Sequence, residues 1–221
     1  MFRLFTYGLS RLGNKAAVAV FALWTLPFQA QAQDTAILAL GDSLTQGYGL
    51  LDHEGFVPQL RDWLAARGHD VRVVNGGVSG DTTAGGLARV DWSLTPDIKG
   101  MIVALGGNDV LRGIDPAVSR ANIQGILDIA KARGLEVLLV GMQAPGNYGP
   151  DYKQAFDALY PELAQAYGAV YAANFFAGIM NEADLASLMQ ADGIHPNAKG
   201  VALIVADLGP KVEALIGRLA P

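Results

Sequence analysis

Ala36-Ile37-Leu38-Ala39-Leu40, followed at once by Gly41-Asp42-Ser43-Leu44, is the stretch whose reading decides the fold. A short, uninterrupted apolar run bounded by glycine reads as a strand buried on both faces. The glycine breaks that strand and holds the next side chains up at the sheet edge. Working outward, runs of the same kind recur at 71–75, 101–105, 137–141 and 169–172, each bounded by glycine or polar residues. Between them lie helical patterns. Phe56, Val57, Leu60, Trp63, Leu64 and Arg67 keep an i, i+3/i+4, i+7 spacing that stops at Gly68, a natural C-terminal stop. Similar patterns cover 116–133 before Gly134, 150–167 before Gly168, and 197–219.

Strand and helix alternating about five times predict a single α/β domain with a mostly parallel five-stranded sheet. Parallel strands need right-handed crossovers, and the helices then cover both sheet faces. In doubly wound sheets the functional residues collect in loops at the carboxyl ends of strands. Ser43 follows the first predicted strand, Gly80 the second and Asn108 the third. There is no internal repeat and no low-complexity linker.

The 221 residues, 51% hydrophobic and 17% charged, suffice for one domain with a substantial core. Residues 1–32 read as a secretory signal peptide. Arg3, Arg11 and Lys15 form a basic start, 16–28 an apolar segment, and Ala30-Gln31-Ala32 a small-x-small cleavage site, leaving 33–221 as the mature domain. Thirteen residues are too few to span a bilayer comfortably, and there is no cysteine to take a lipid, so no stable membrane anchor is expected. Removing the segment takes away three basic and no acidic residues, leaving 13 Lys+Arg against 21 Asp+Glu, a formal charge of −8. An acidic chain without a basic run is not expected to bind nucleic acid. With Cys 0 there is no disulfide, thiolate nucleophile or cysteine metal site.

The chemistry begins at Asp192-Gly193-Ile194-His195. An Asp three residues before a His can curl back onto the imidazole, fixing its tautomer and stabilising the imidazolium. The free ring nitrogen then needs a serine, and Ser43 is the leading candidate. Acyl transfer also needs donors for the oxyanion, each worth about 2.7–4 kcal/mol of transition-state stabilisation. The glycine-rich loop Asn75-Gly76-Gly77-Val78-Ser79-Gly80-Asp81-Thr82 can offer a backbone N–H, from Gly80. Leu105-Gly106-Gly107-Asn108-Asp109 offers the Asn108 amide, and Ser43 its own N–H.

Each motif alone also has an ordinary structural reading. Gly-Asp-Ser-Leu is a common turn, Asp192 could cap a helix opening near Pro196, and Gly106-Gly107-Asn108-Asp109 could be a plain strand-to-helix turn. Their conjunction carries the reading. Residues 76–86 lack the Gly-Lys-Ser/Thr of a phosphate loop, no dinucleotide fingerprint follows the first strand, and no G-x-S-x-G nucleophile elbow surrounds Ser43 or Ser79. His53 and His69 read as solvated turn residues, with His53 near enough to Ser43 in sequence to edge a cleft. So few histidines argue against a dinuclear metal site. Two other readings stay open: a metal-dependent phosphoesterase using Asp42, Asn108 and Asp109 as oxygen ligands, and a non-catalytic binding module on the same fold.

Gly41-Asp42-Ser43-Leu44, the Gly80 loop, Gly106-Gly107-Asn108-Asp109 and Asp192-Gly193-Ile194-His195-Pro196-Asn197 resemble, in order and spacing, the four signature blocks of the SGNH or GDSL hydrolase family. The resemblance is closest to the bacterial periplasmic thioesterase/lysophospholipase and arylesterase subfamily and spans 35–217. It implies a flavodoxin-like three-layer α/β/α sandwich and hydrolysis of a small-molecule ester or thioester, or deacetylation of a carbohydrate or lipid at the same site, with no metal or cofactor. It assigns Ser43 as nucleophile and Asp192 and His195 as its triad partners. Ser43 N–H, Gly80 N–H and Asn108 Nδ2 become the oxyanion hole, and Asp42 is not the triad acid. It further implies that Val110, Leu111, Ala144, Pro145 and Asn147 line the substrate wall, with 110–114 a loop that moves on acyl binding. Ala144 stands where relatives often carry a longer side chain before the proline, so chain-length preference does not carry over, and Gly146 is expected to loosen that wall. Residence is implied to be periplasmic or secreted.

Overall fold

The computed structural model describes residues 35–219; the expected signal segment 1–32 lies outside them. Five strands, β1 (Ala36–Gly41), β2 (Arg72–Gly77), β3 (Ile98–Ala104), β4 (Glu136–Val140) and β5 (Val170–Ala172), form one sheet in the order β2-β1-β3-β4-β5. Every pairing is parallel, which is stricter than the mostly parallel sheet expected. All six residues of β1 are buried, as a central strand covered on both faces requires. Leu38 sits in register between Val74 of β2 and Met101 of β3.

Helices α2 (Phe56–Ala65) and α8 (Ala198–Ile216) pack together on one face, joined by the short α7 (Ala177–Met180). On the other face α3 (Thr83–Ser93), α5 (Pro116–Ala132) and α6 (Pro150–Tyr167) form a second layer. Their apolar stripes are the expected ones: Phe56, Val57, Leu60 and Leu64 on α2, and Ile123, Ile126, Leu127 and Ala130 on α5 are all buried. Two short helices, α1 (Ser43–Gln46) and α4 (Gly107–Leu111), open directly after β1 and β3.

Helix α3 gives no periodic signal because three of its first four residues, Thr83, Gly85 and Gly86, are poor helix formers, and it buries only Thr83, Gly86 and Val90. Strand β2 runs on through Gly76 and Gly77, and β3 begins three residues before the expected 101. Helix α8 starts at Ala198 with Asn197 outside it as the cap.

The order β2-β1-β3-β4-β5 reverses winding direction between β1 and β3, and a crevice opens at the carboxyl ends of those two strands. The end of β2 is pressed against α1: a Cβ on Gly77 would lie 2.2 Å from the Gln46 backbone nitrogen and 2.8 Å from the Asp42 carbonyl. Gly77→Ala is therefore expected to destabilise the protein by about 1–3 kcal/mol through overpacking. Gly146→Ala, with nothing within 4 Å of an added Cβ, should stay within about 0.5 kcal/mol of the parent. Urea denaturation of both variants checks this, and equal midpoints would contradict so close an approach of β2 to α1.

Candidate active site

Ser43 opens α1 because Asp42 caps it: Asp42 Oδ1 accepts the Leu44 N–H at 3.0 Å. The helix start holds the Ser43 side chain at the top of the crevice, beside a loop that arrives from the far end of the chain. In that loop Asp192 Oδ1 accepts the N–H groups of Ile194 (2.9 Å) and His195 (3.0 Å). Its Oδ2 lies 2.7 Å from His195 Nδ1, and His195 Nε2 lies 2.8 Å from Ser43 Oγ. The His195 backbone N–H, then its ring, then the Ile194 N–H hold the Asp192 carboxyl well below the usual carboxylate range. The helix-capping alternative for Asp192 falls to Asn197, whose Oδ1 accepts the Lys199 and Gly200 N–H groups of α8.

Two residues that sequence reasoning missed complete this side of the crevice. The Tyr48 ring packs on His195 with centroids 4.7 Å apart at 38°. Gln190 ties the two loops together. Its Nε2 donates to the carbonyls of Tyr48 (2.8 Å) and Pro196 (3.0 Å), and its backbone N–H donates to the His195 carbonyl (2.8 Å). An aromatic five residues beyond Ser43 is visible in the sequence; its partner 147 residues later is not.

Gly80 and Asn108 stand on the opposite side. The Gly80 carbonyl is fixed by Arg112 Nη2 at 2.9 Å, and the neighbouring Asp81 accepts Arg89 Nε at 2.6 Å. Arg89 Nη2 also donates to the Gly41 carbonyl at 2.9 Å, so one guanidinium joins the Gly80 loop to the end of β1. Asn108 lies in the first turn of α4, reached through Gly106 at φ 118°. No other residue fits there. The left-handed backbone favours glycine, and a Cβ would meet Tyr160 Oη at 2.0 Å, where that buried hydroxyl donates to the Leu105 carbonyl at 2.9 Å. Asp109, fully buried, accepts from Thr83 N–H (2.9 Å), Thr83 Oγ1 (2.5 Å) and Ser119 Oγ (2.9 Å). That carboxylate joins the starts of α3, α4 and α5, and with them the two donor loops. The Ser43 and Gly80 N–H groups have no acceptor among the described residues.

Asp42 plays a part distinct from Asp192. It is buried, its Oδ2 lies 3.4 Å from Asn108 Nδ2, and desolvation raises its pKa to about 6 against the opposing pull of the Leu44 N–H and Asn108.

Between the two sides lies a cleft of about 770 Å³. Val110, Leu111, Ala144 and Pro145 line it as expected, whereas Asn147 is exposed on a one-turn 3₁₀ helix, Gly146–Tyr148, and is not among the lining residues. The expected loosening at Gly146 does not reach Ala144. Its N–H donates to Asp157 Oδ1 (2.8 Å) and its carbonyl accepts from Lys153 Nζ (2.7 Å), both from α6. The rest of the wall was not read from sequence: Phe176, Ile179, Met180, Leu185 and Met189, from the segment after β5. His53 is exposed, and His69 is half-buried, 2.9 Å from Glu213 of α8.

An α/β/α sandwich whose switch-point crevice holds a connected Ser–His–Asp and free donors opposite defines a hydrolase that works by acyl transfer. The chain belongs to the GDSL-like Lipase/Acylhydrolase family, whose model matches residues 39–203. It is 39% identical to the esterase TesA of Pseudomonas aeruginosa over 88% of this chain and 95% of that protein. It is 38% identical to thioesterase 1/protease 1/lysophospholipase L1 of Escherichia coli over 86% and 89% of the two chains. Among solved structures, the esterase EstA from Pseudoalteromonas sp., inhibited by monoethylphosphonate, superposes with a TM-score of 0.76 at 30% identity, covering 84% of this chain and all of that one.

The raised pKa of Asp42 has a sign that can be measured. The folded chain holds the Asp42 proton up to about pH 6 and the unfolded chain releases it near 3.8. Between those values the native state binds more protons, so this group's contribution to stability falls as pH rises through the window, by roughly 3 kcal/mol in all. Asp42→Asn removes the charge and keeps an acceptor for Leu44. Its stability relative to the parent should therefore improve by up to that amount between pH 4 and pH 8, measured by urea denaturation at both. A stability difference independent of pH would contradict the buried charge.

Proposed function

We propose that this protein hydrolyses carboxylic esters and thioesters of apolar acyl groups, with Ser43 as nucleophile, His195 as general base and Asp192 as its orienting acid. The observation that carries the reading is the unbroken run from Asp192 Oδ2 through the His195 ring to Ser43 Oγ, 2.7 Å and 2.8 Å. Because the carboxylate accepts the Nδ1 proton, Nε2 is the bare nitrogen and can take the hydroxyl proton of Ser43 as it attacks the carbonyl. The imidazolium then forms between Asp192 and the face of Tyr48 and passes its proton to the departing alcohol or thiol. Water repeats the cycle on the acyl-enzyme.

The Ser43 and Gly80 N–H groups and Asn108 Nδ2 serve as oxyanion donors in this cycle. Asp42 positions Asn108 and takes no proton from the substrate. The largely apolar wall of Leu111, Ile179, Met180 and Leu185 suits an acyl chain better than an acetylated sugar. The relatives named esterase, thioesterase and lysophospholipase act within this chemical range. We place the mature protein in the periplasm or outside the cell, released by cleavage after Ala32. Among the described residues no helix is long and apolar enough to cross a membrane.

Ser43→Ala should lower kcat on a short p-nitrophenyl ester by roughly 10⁴-fold or more. Full activity in the serine variant would remove Ser43 as nucleophile.

A further inference from the structure

Asn174 lies two residues past β5 in the wall of the cleft, and only 6% of it is exposed. The wall around it, formed by Phe176, Ile179, Met180, Leu185 and Met189, is otherwise apolar. A carboxamide in such surroundings loses its water and must be satisfied by what touches it.

Its oxygen is accounted for. The Phe176 N–H donates to Oδ1 at 3.0 Å, an Asx turn that leads into α7. That contact also settles which way the amide faces, since an N–H must meet oxygen and not the NH₂ group. Nδ2 is thereby directed to Met180 Sδ, 2.8 Å away. A thioether is a weak acceptor, and Nδ2 meets no oxygen among the described residues. The turn needs only the acceptor, which an aspartate or serine would also provide. The amide adds an NH₂ group whose one contact, in the wall of the binding cleft, is a sulfur. Met180 is 50% exposed, and an unbranched thioether side chain has the rotamer freedom to move aside.

We infer that Asn174 is a specificity-determining residue that recognises an acceptor oxygen carried part-way along the acyl chain of the substrate, such as a hydroxyl, ether or keto oxygen. The inference rests on the acyl-transfer reading above and names the kind of acyl group. Within the wall of Phe176, Ile179, Met180, Leu185 and Met189, an oxygen that gives up water regains a side-chain hydrogen bond only where it meets Nδ2. A plain alkyl chain leaves Nδ2 with the sulfur. Discrimination on a single neutral hydrogen bond is about 3- to 10-fold.

The test uses p-nitrophenyl esters of one chain length in which each methylene in turn is replaced by an ether oxygen, an acceptor with no hydrogen to donate. For every position kcat/KM is divided by that of the all-carbon ester on the same enzyme. The parent should show one position whose ratio stands about 3- to 10-fold above the others. Asn174→Leu and Asn174→Asp should both lose that maximum. The aspartate keeps the acceptor for Phe176 N–H, so it separates loss of the donor from collapse of the turn. Labelling of Ser43 by an alkyl phosphonate confirms that each variant retains a folded site.

A parent profile without a maximum, or a maximum that survives both substitutions, overturns the role of Asn174 and leaves ester hydrolysis standing. If the parent hydrolyses none of the esters and Ser43 is not labelled, the acyl-transfer reading falls and this inference falls with it.

Discussion

One carboxylate in the loop before α8 decides whether the rest of the crevice is useful. Asp192 binds two backbone N–H groups of its own turn with one oxygen and the His195 ring with the other. The first pair fixes where the carboxylate sits, and the second fixes which ring nitrogen carries the proton. Without the turn the carboxylate would be a mobile surface group with little hold on an imidazole. With it, the bare Nε2 is presented to Ser43, and in the proposed cycle the charge formed on the ring already faces a carboxylate that the His195 and Ile194 backbone donors and the ring itself keep ionised.

The donors opposite depend on a different kind of constraint. Ser43 and Asn108 come from strands that are neighbours in space but separated in sequence, since β1 and β3 flank the point where the sheet reverses its winding. Gly80, after the edge strand β2, is brought to the same place by two buried or half-buried ionic groups. Arg89 links its loop to Gly41, and Asp109 links the start of α3 to α4 and α5. Such links hold these N–H and amide groups in place before substrate arrives, the condition under which the oxyanion stabilisation of the proposed cycle is large.

The buried strands, the long helices and the hydrogen-bonded run of Ser43, His195 and Asp192 were legible because each is marked by short-range pattern: an apolar run ended by glycine, a 3.6-residue stripe, an Asp three residues before a His. What the pattern could not show was determined by contact between distant segments. Helix α3 is made by burial of Thr83 and Gly86 against neighbouring elements and not by propensity. Ala144 is held by α6, so a glycine two residues later does not loosen it. Asn147 leaves the wall because 146–148 winds into a turn. Tyr48 and Gln190 meet through a contact between distant segments that no local spacing encodes, and Asn174 in sequence reads as an ordinary turn former.

Ser43, His195 and Asp192 act, in this view, through a covalent acyl-enzyme, and that species can be seen directly. Mixing the protein with a slowly deacylating p-nitrophenyl ester, quenching in acid and measuring the intact mass should show one acyl group per chain, mapped by peptide fragmentation to Ser43. The adduct should be absent from Ser43→Ala. Turnover without any acylated chain, or an acyl group on another residue, would contradict the serine mechanism.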